Sequence, residues 1–156
     1  MKPARDMPSS HEHVQLAQLP DWPTRTIAIL STLDQVPYAI PISAPLRADD
    51  QRILFSLHCS RGSLARLRKH PHVALTVLAE GNFAFTARGR ARIVREPMGR
   101  APDYAAVAID VEHIDDHRQA AFVVESGIGR RWIDESEQIG LRERVDALKE
   151  LAAIGA

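Results

Sequence analysis

Residues 83 to 94 read FAFTARGRARIV, and this stretch decides the fold. Phe83, Phe85, Ala87, Gly89, Ala91 and Ile93 fall on one side of an extended chain, and Thr86, Arg88, Arg90 and Arg92 on the other. Successive side chains of a strand point to opposite faces, so this period of two marks a strand with one apolar and one polar side. A row of arginines on a strand is most often its water-facing side. The other readings are a face turned to a dimer partner or to a bound anion.

Working upstream, Glu80-Gly81-Asn82 is a turn, and His72 to Ala79 (HVALTVLA) is the strand that it joins to the first. Before it, Leu64 and Leu67 lie three apart on one face of a short helix that Ser60 or Ser63 can cap. Pro71 disfavours helix at His70 and ends it. Arg52 to His58 (RILFSLH) alternates at Ile53, Phe55 and Leu57 as a further strand. Pro37 to Ser43 (PYAIPIS) holds two prolines that cannot donate to a ladder, which predicts an edge or bulged strand whose backbone can face a ligand. Thr26 to Leu33 (TIAILSTL) is apolar on both faces and reads as a strand buried on each side. The first 25 residues, with four prolines among polar residues, read as a loose arm with one helical turn at His13 to Leu19.

Downstream, a break through Pro97, Gly99 and Pro102 precedes Tyr104 to Ile114, which alternates at Val107, Ile109 and Val111. From about Ser136 the period changes, and Leu141, Val145, Leu148 and Ala152 trace one face of a helix. Asp134 with Glu137 resembles a capping box. Six strands, one inserted helix and a C-terminal helix predict a mainly β, antiparallel sheet that hides its edges by closing into a small barrel. A doubly wound α/β arrangement is disfavoured because only one helix separates the core strands.

A length of 156 residues is that of one domain, taken here as residues 26–156 following the arm of 1–25. Lys plus Arg and Asp plus Glu are 20 each, so no global field draws the chain to nucleic acid or to an anionic membrane. Any anion it binds must be held locally. The single cysteine, Cys59, excludes an internal disulfide and fits a reducing compartment, and no apolar run is long enough to span a bilayer. A cytoplasmic location without a secretion signal is the expectation.

Chemistry is sparse. Cys59-Ser60-Arg61-Gly62-Ser63 lies between a strand and a helix, with Arg66, Arg68 and Lys69 after it. Helix-start N–H groups, two hydroxyls, a glycine and an arginine suit a phosphate; the same residues also make a plain capped helix start with a solvated basic face. The seven histidines form no metal-ligand pattern. His58 and Cys59 are neighbours that point to opposite faces, so they make no base and nucleophile pair. Trp132 follows Arg130 and Arg131, and an indole beside guanidinium groups can flank a flat aromatic ligand or serve as a packed or lid residue. No G-x-S-x-G, Walker loop or G-x-G-x-x-G is present, so an enzymatic role would place the chemistry on a cofactor.

From about Thr26 to Val94 the order of elements resembles the FMN-binding split-barrel family, the relatives of pyridoxamine 5'-phosphate oxidase. The likeness rests on AILST, on the prolines and Ile-Ser of PYAIPIS, on ILFS followed by SRGS, the basic pair and the proline before VAL, and on RGRARIV. The resemblance implies a six-stranded split barrel, a homodimer, and FMN in a cleft between subunits. It implies a flavin phosphate near Ser60, Arg61 and Ser63 with Arg66 close by, a ring against Pro41, Ile42 and Ser43, and Trp132 beside it. Counted back from Pro71, the basic pair of many members falls on Gly62 and Ser63, so Arg61 or Arg66 is expected to substitute. The Arg-x-His element of the true oxidase has no match. The resemblance thus implies a flavin-dependent oxidoreductase acting on a small molecule by hydride transfer. The alternatives are a deazaflavin-dependent reductase and a member without flavin that serves as a dimeric small-ligand-binding protein.

Overall fold

The computed structural model describes residues 14–156, so the earlier part of the arm, with His11 and His13, lies outside the described residues. The elements in order are β1 (Val14–Gln15), β2 (Ile27–Leu33), β3 (Pro37–Ser43), β4 (Leu46–Asp49), β5 (Arg52–His58), α1 (Gly62–Lys69), β6 (His72–Ala79), β7 (Phe83–Arg95), β8 (Tyr104–Asp116) and α2 (Glu135–Ala153). The sheet runs β3-β2-β6-β7-β8-β5-β4, and every pairing is antiparallel.

The two ends of that order are consecutive in the chain. β3 pairs with β2 and β4 pairs with β5, so one long strand, bent between them, joins both edges and makes a barrel. Ala44 makes the bend with a φ of 52°, its N–H donates to Thr26 O at 2.9 Å, and Pro45 follows. Counting β3 and β4 as one strand, and leaving aside the short β1, gives the six strands expected from the sequence. β3 has no ladder with β5, and there the barrel is split.

Leu30, Phe55, Leu75, Val77, Phe85, Val107 and Ile109 fill the interior, and Leu64 and Leu67 of α1 join the same core. Alternation brings them there: each is the inward member of its strand. Gly81 and Asn82, with φ of 88° and 61°, turn β6 into β7. The register of β7 against β8 shifts between Arg88 and Gly89, and a Cβ on Gly89 would stand 2.1 Å from the carbonyl oxygen of Asp110. Only glycine permits that approach. α2 lies on the outside of the barrel, where Leu148 and Leu151 pack on Leu54, Ala106 and Ala108. Asp134 caps it by accepting from Ser136 N at 2.8 Å. No helix among the described residues is long and apolar enough to cross a membrane.

Two expectations are corrected. Residues 14–25 are neither loose nor helical: β1 pairs with the end of β8, Leu19 N donates to Asp50 O at 2.9 Å, and Leu19 and Trp22 are buried in the core. Apolar area removed from water holds this strap in place of helical hydrogen bonds. β2 is buried on one side only, through Ala28, Leu30 and Thr32, because no element among the described residues covers its outer side.

Candidate functional site

The start of α1 has an unusual electrostatic arrangement. Arg61 is the N-cap residue, its side chain caps nothing, and the first turn holds no acidic residue. Neither serine caps the helix, contrary to the sequence expectation. Ser60 Oγ lies 2.7 Å from His58 Nδ1, and Ser63, inside the first turn, is buried with its Oγ accepting from Arg66 Nη2 at 3.0 Å. Arg66 folds back along the helix: a Cβ on Gly62 would meet its Nη1 at 3.2 Å. Its Nε donates to Thr32 Oγ1 at 3.0 Å, and its guanidinium lies over the Tyr38 ring at 4.0 Å. A cation at a helix N-terminus opposes the positive end of the helix dipole. An anion there would satisfy the free N–H groups and the guanidinium together, and Ser60 and Arg61 are exposed beside them. These residues fit a phosphate.

β3 is an edge strand, as its prolines predict. Because Ala44 N donates to Thr26 O, alternation along an antiparallel ladder turns the even-numbered residues of β3 towards β2 and the odd-numbered ones towards the open edge. Pro37 and Pro41 therefore stand where a missing N–H leaves no ladder bond unmade. Ala39 and Ser43 keep N–H groups on that edge, available to a planar ligand with acceptor atoms. The side chains divide differently: Ile42 is buried opposite Ala28, while Pro41 is exposed and Ser43 half-exposed. A ring lying on this strand would touch Pro41 and Ser43, and Ile42 only through its backbone.

Trp132 belongs to a different cluster. It packs against Ala44, Leu141 and Val145, and Arg130 lies over its ring at 4.5 Å while donating to Ser43 Oγ at 2.8 Å. Tyr38 and Ser43 are five residues apart on β3, roughly 17 Å at about 3.3 Å per residue. The Arg66 and Trp132 clusters thus sit at opposite ends of one strand. Beside Trp132 is a cavity of about 600 Å³ between the strap, the β6–β7 turn, the segment 126–130 and α2. Arg130 lines it, and burial, then the charge of Arg144, pulls its guanidinium below the usual arginine range. The adjacency of Arg130 to Trp132 in sequence pointed to this cluster. Nothing local pointed to Thr32 or Tyr38, which reach Arg66 only through the register of β2 on β3.

The arginine row is tied down within the sheet. Arg88 pairs with Asp115 at 2.8 Å and Arg92 with Asp110 at 2.7 Å, while Arg52 also reaches Asp110 at 3.3 Å. The hydrogen bond from Arg92 holds Asp110 below the usual carboxylate range, with Arg52 adding to it. Arg90 makes no ion pair among the described residues. Among the same residues no three His, Cys, Asp or Glu side chains gather as a metal-ligand set.

The fold follows from this architecture: the chain has the split-barrel fold seen in solved structures of pyridoxamine 5'-phosphate oxidase-like proteins. It is similar to a candidate pyridoxamine 5'-phosphate oxidase from Listeria innocua, with a TM-score of 0.51 and 14% identity over 60% of this chain and 89% of that one. It is also similar to HupZ of group A Streptococcus, with a TM-score of 0.52 and 16% identity over 67% and 90% of the two chains. A third similar structure is an F420 reductase, with a TM-score of 0.51 and 14% identity over 60% and 91%. At these identities the likeness is one of fold. By sequence the chain matches no family model and no curated protein.

Proposed function

We propose that the chain is a flavin-binding oxidoreductase of the split-barrel type that acts on a small molecule, with FMN as its cofactor. The observation that carries this reading is the start of α1, where uncapped N–H groups, Ser60, Arg61 and the folded-back Arg66 converge with no acidic residue in the first turn. Arg66 takes the part that the basic pair plays in the family, and Gly62 leaves the room for it. Ser63, Thr32 and Tyr38 hold the guanidinium in place, so that its charge is oriented before the phosphate arrives. The edge of β3 offers N–H groups of Ala39 and Ser43 and the surface of Pro41 to the ring. A bound flavin would supply two-electron hydride chemistry to the site. The chain's own part is to bind, orient and shield.

The reading includes a homodimer. The outer side of β3 and β2 presents Pro41, Ile29 and Leu33, half-exposed or exposed, and α2 covers a different part of the barrel's outside, over β4 and β5. A second copy laid on this face would wall the open edge of β3 and bury that apolar strip.

The test is a visible spectrum and mass of what copurifies, followed by titration of the purified protein with FMN and with a deazaflavin. Binding of FMN, weakened by about tenfold or more in Arg66→Ala and in Arg61→Ala, is the expected result. Preference for the deazaflavin would make the chain a deazaflavin-dependent reductase. Uptake of neither would overturn the reading and leave the flavin-free binding protein, which the loss of the basic pair at Gly62 and Ser63 favours.

A further inference from the structure

We propose that the cavity beside Trp132 is a second ligand site, distinct from the start of α1, that takes an organic anion with a flat apolar body. Its size, about 600 Å³, is that of a small-molecule pocket. Arg25, Arg130, Arg142 and Lys149 line it against Glu80 and Asp146, four cations to two carboxylates. None of the six is in an ion pair among the described residues, so the excess of positive charge is not spent within the chain. Arg130 is the best placed of them. Its guanidinium is aligned by Ser43 Oγ and by the Trp132 ring, and both burial and Arg144 disfavour its charge, which an anion would relieve. The apolar lining includes Trp132, Leu141, Val145 and Ala44, which pack together, and the flat Trp132 ring lies beside the cation.

The opposite wall is built rather than draped. Asn82 Oδ1 accepts from Val124 N at 2.9 Å and Asn82 N donates to Val124 O at 3.0 Å, which pins the segment to the β6–β7 turn. Three residues on, Gly127 continues the contact: a Cβ there would stand 2.6 Å from Leu78 O. The segment is seated on the sheet by its lack of a side chain.

Naphthoate and its neutral analogue naphthamide are the probes, measured by calorimetry on the full chain. The expected result is saturable binding of naphthoate, with naphthamide weaker by about tenfold or more and Arg130→Gln costing a similar factor for naphthoate alone. Arg142→Gln, on the exposed face of α2, repeats the test should Arg130→Gln fail to fold. Arg66→Ala is expected to leave naphthoate affinity unchanged, which separates this site from the flavin site and lets either fail without the other. Absence of naphthoate binding, equal affinity for the two probes, or indifference to both Arg130→Gln and Arg142→Gln would overturn the proposal. So would loss of naphthoate binding in Arg66→Ala.

Discussion

Replacement of Trp22 tests whether the strap is part of the fold. Trp22 is 5% exposed, its indole N–H donates to Pro45 O at 2.9 Å, and its ring centroid lies 5.5 Å from that of Phe85. Trp22→Ala removes a buried aromatic and opens a cavity, which typically costs about 3–5 kcal/mol. At about 2–4 °C per kcal/mol for a domain of this size, the melting midpoint should fall by roughly 6–20 °C. Trp22→Phe keeps most of the apolar area and leaves Pro45 O without its donor, for a loss of about 1–2 kcal/mol. The assay is urea unfolding followed by circular dichroism at one fixed protein concentration, since association would add to the apparent stability. The ordering expected is wild type, then Trp22→Phe, then Trp22→Ala, with the denaturant slope little changed. A Trp22→Ala variant within about 1 kcal/mol of wild type would refute the reasoning, because an aromatic so buried cannot be removed that cheaply from a packed core. The result also bears on the cavity, since the residues that follow Trp22, Pro23 to Ile27, form one of its walls.

Other expectations follow from single positions. Gly89→Ala must push a Cβ into the backbone of β8, where Asp110 O stands 2.1 Å away, and thermal melting should show a loss of about 3 kcal/mol or more; unchanged melting would mean that the bulge can open. Asp134→Ala removes the cap that accepts from Ser136 N at 2.8 Å, and chemical denaturation should register about 1 kcal/mol. Asp110 is held below the usual carboxylate range by Arg92 first and Arg52 after it, so its contribution is complete above the unfolded value near pH 4 and is lost as pH falls through the folded value. Its side chain is 47% exposed, so screening limits that contribution to less than about 1 kcal/mol. Asp110→Asn should flatten the acid limb of the stability curve, and an acid limb as steep as that of wild type would count against the pairing.

The strands that could be read from the sequence are those whose signal is local. Pro37–Ser43, Arg52–His58 and His72–Ala79 have the bounds their alternation and flanking turn residues gave them. The strap could not be read that way. Leu19 and Trp22 are isolated apolar residues in a proline-rich stretch, and their partners are distant in sequence: Pro45 and Phe85 for Trp22, Arg47 and Asp50 for Leu19. β4 escaped notice because four residues after a proline show too little period, and its meaning lies in pairing with β5 to close the barrel. At the candidate site the residue types around Ser60 and Arg66 were legible. The fold-back of Arg66 was not, since it depends on Thr32 and Tyr38 being brought opposite each other by the β2–β3 register.

That dependence has a consequence for how the two ends of β3 relate. A basic pair in the first turn of α1 would carry its own charge to a phosphate from side chains anchored on the helix alone. On the reading proposed above the charge would come instead from Arg66, one turn further on, whose guanidinium is positioned by groups on β2, on β3 and on the helix: Thr32, Tyr38 and Ser63. Tyr38 and Ser43 belong to the same strand, and Ser43 aligns Arg130 at its far end. β3, an edge strand held by hydrogen bonds on one side, thus touches both guanidinium groups. Such a strand shifts more readily than an interior one, so on the two proposals made above its placement would bear on anion binding at both ends.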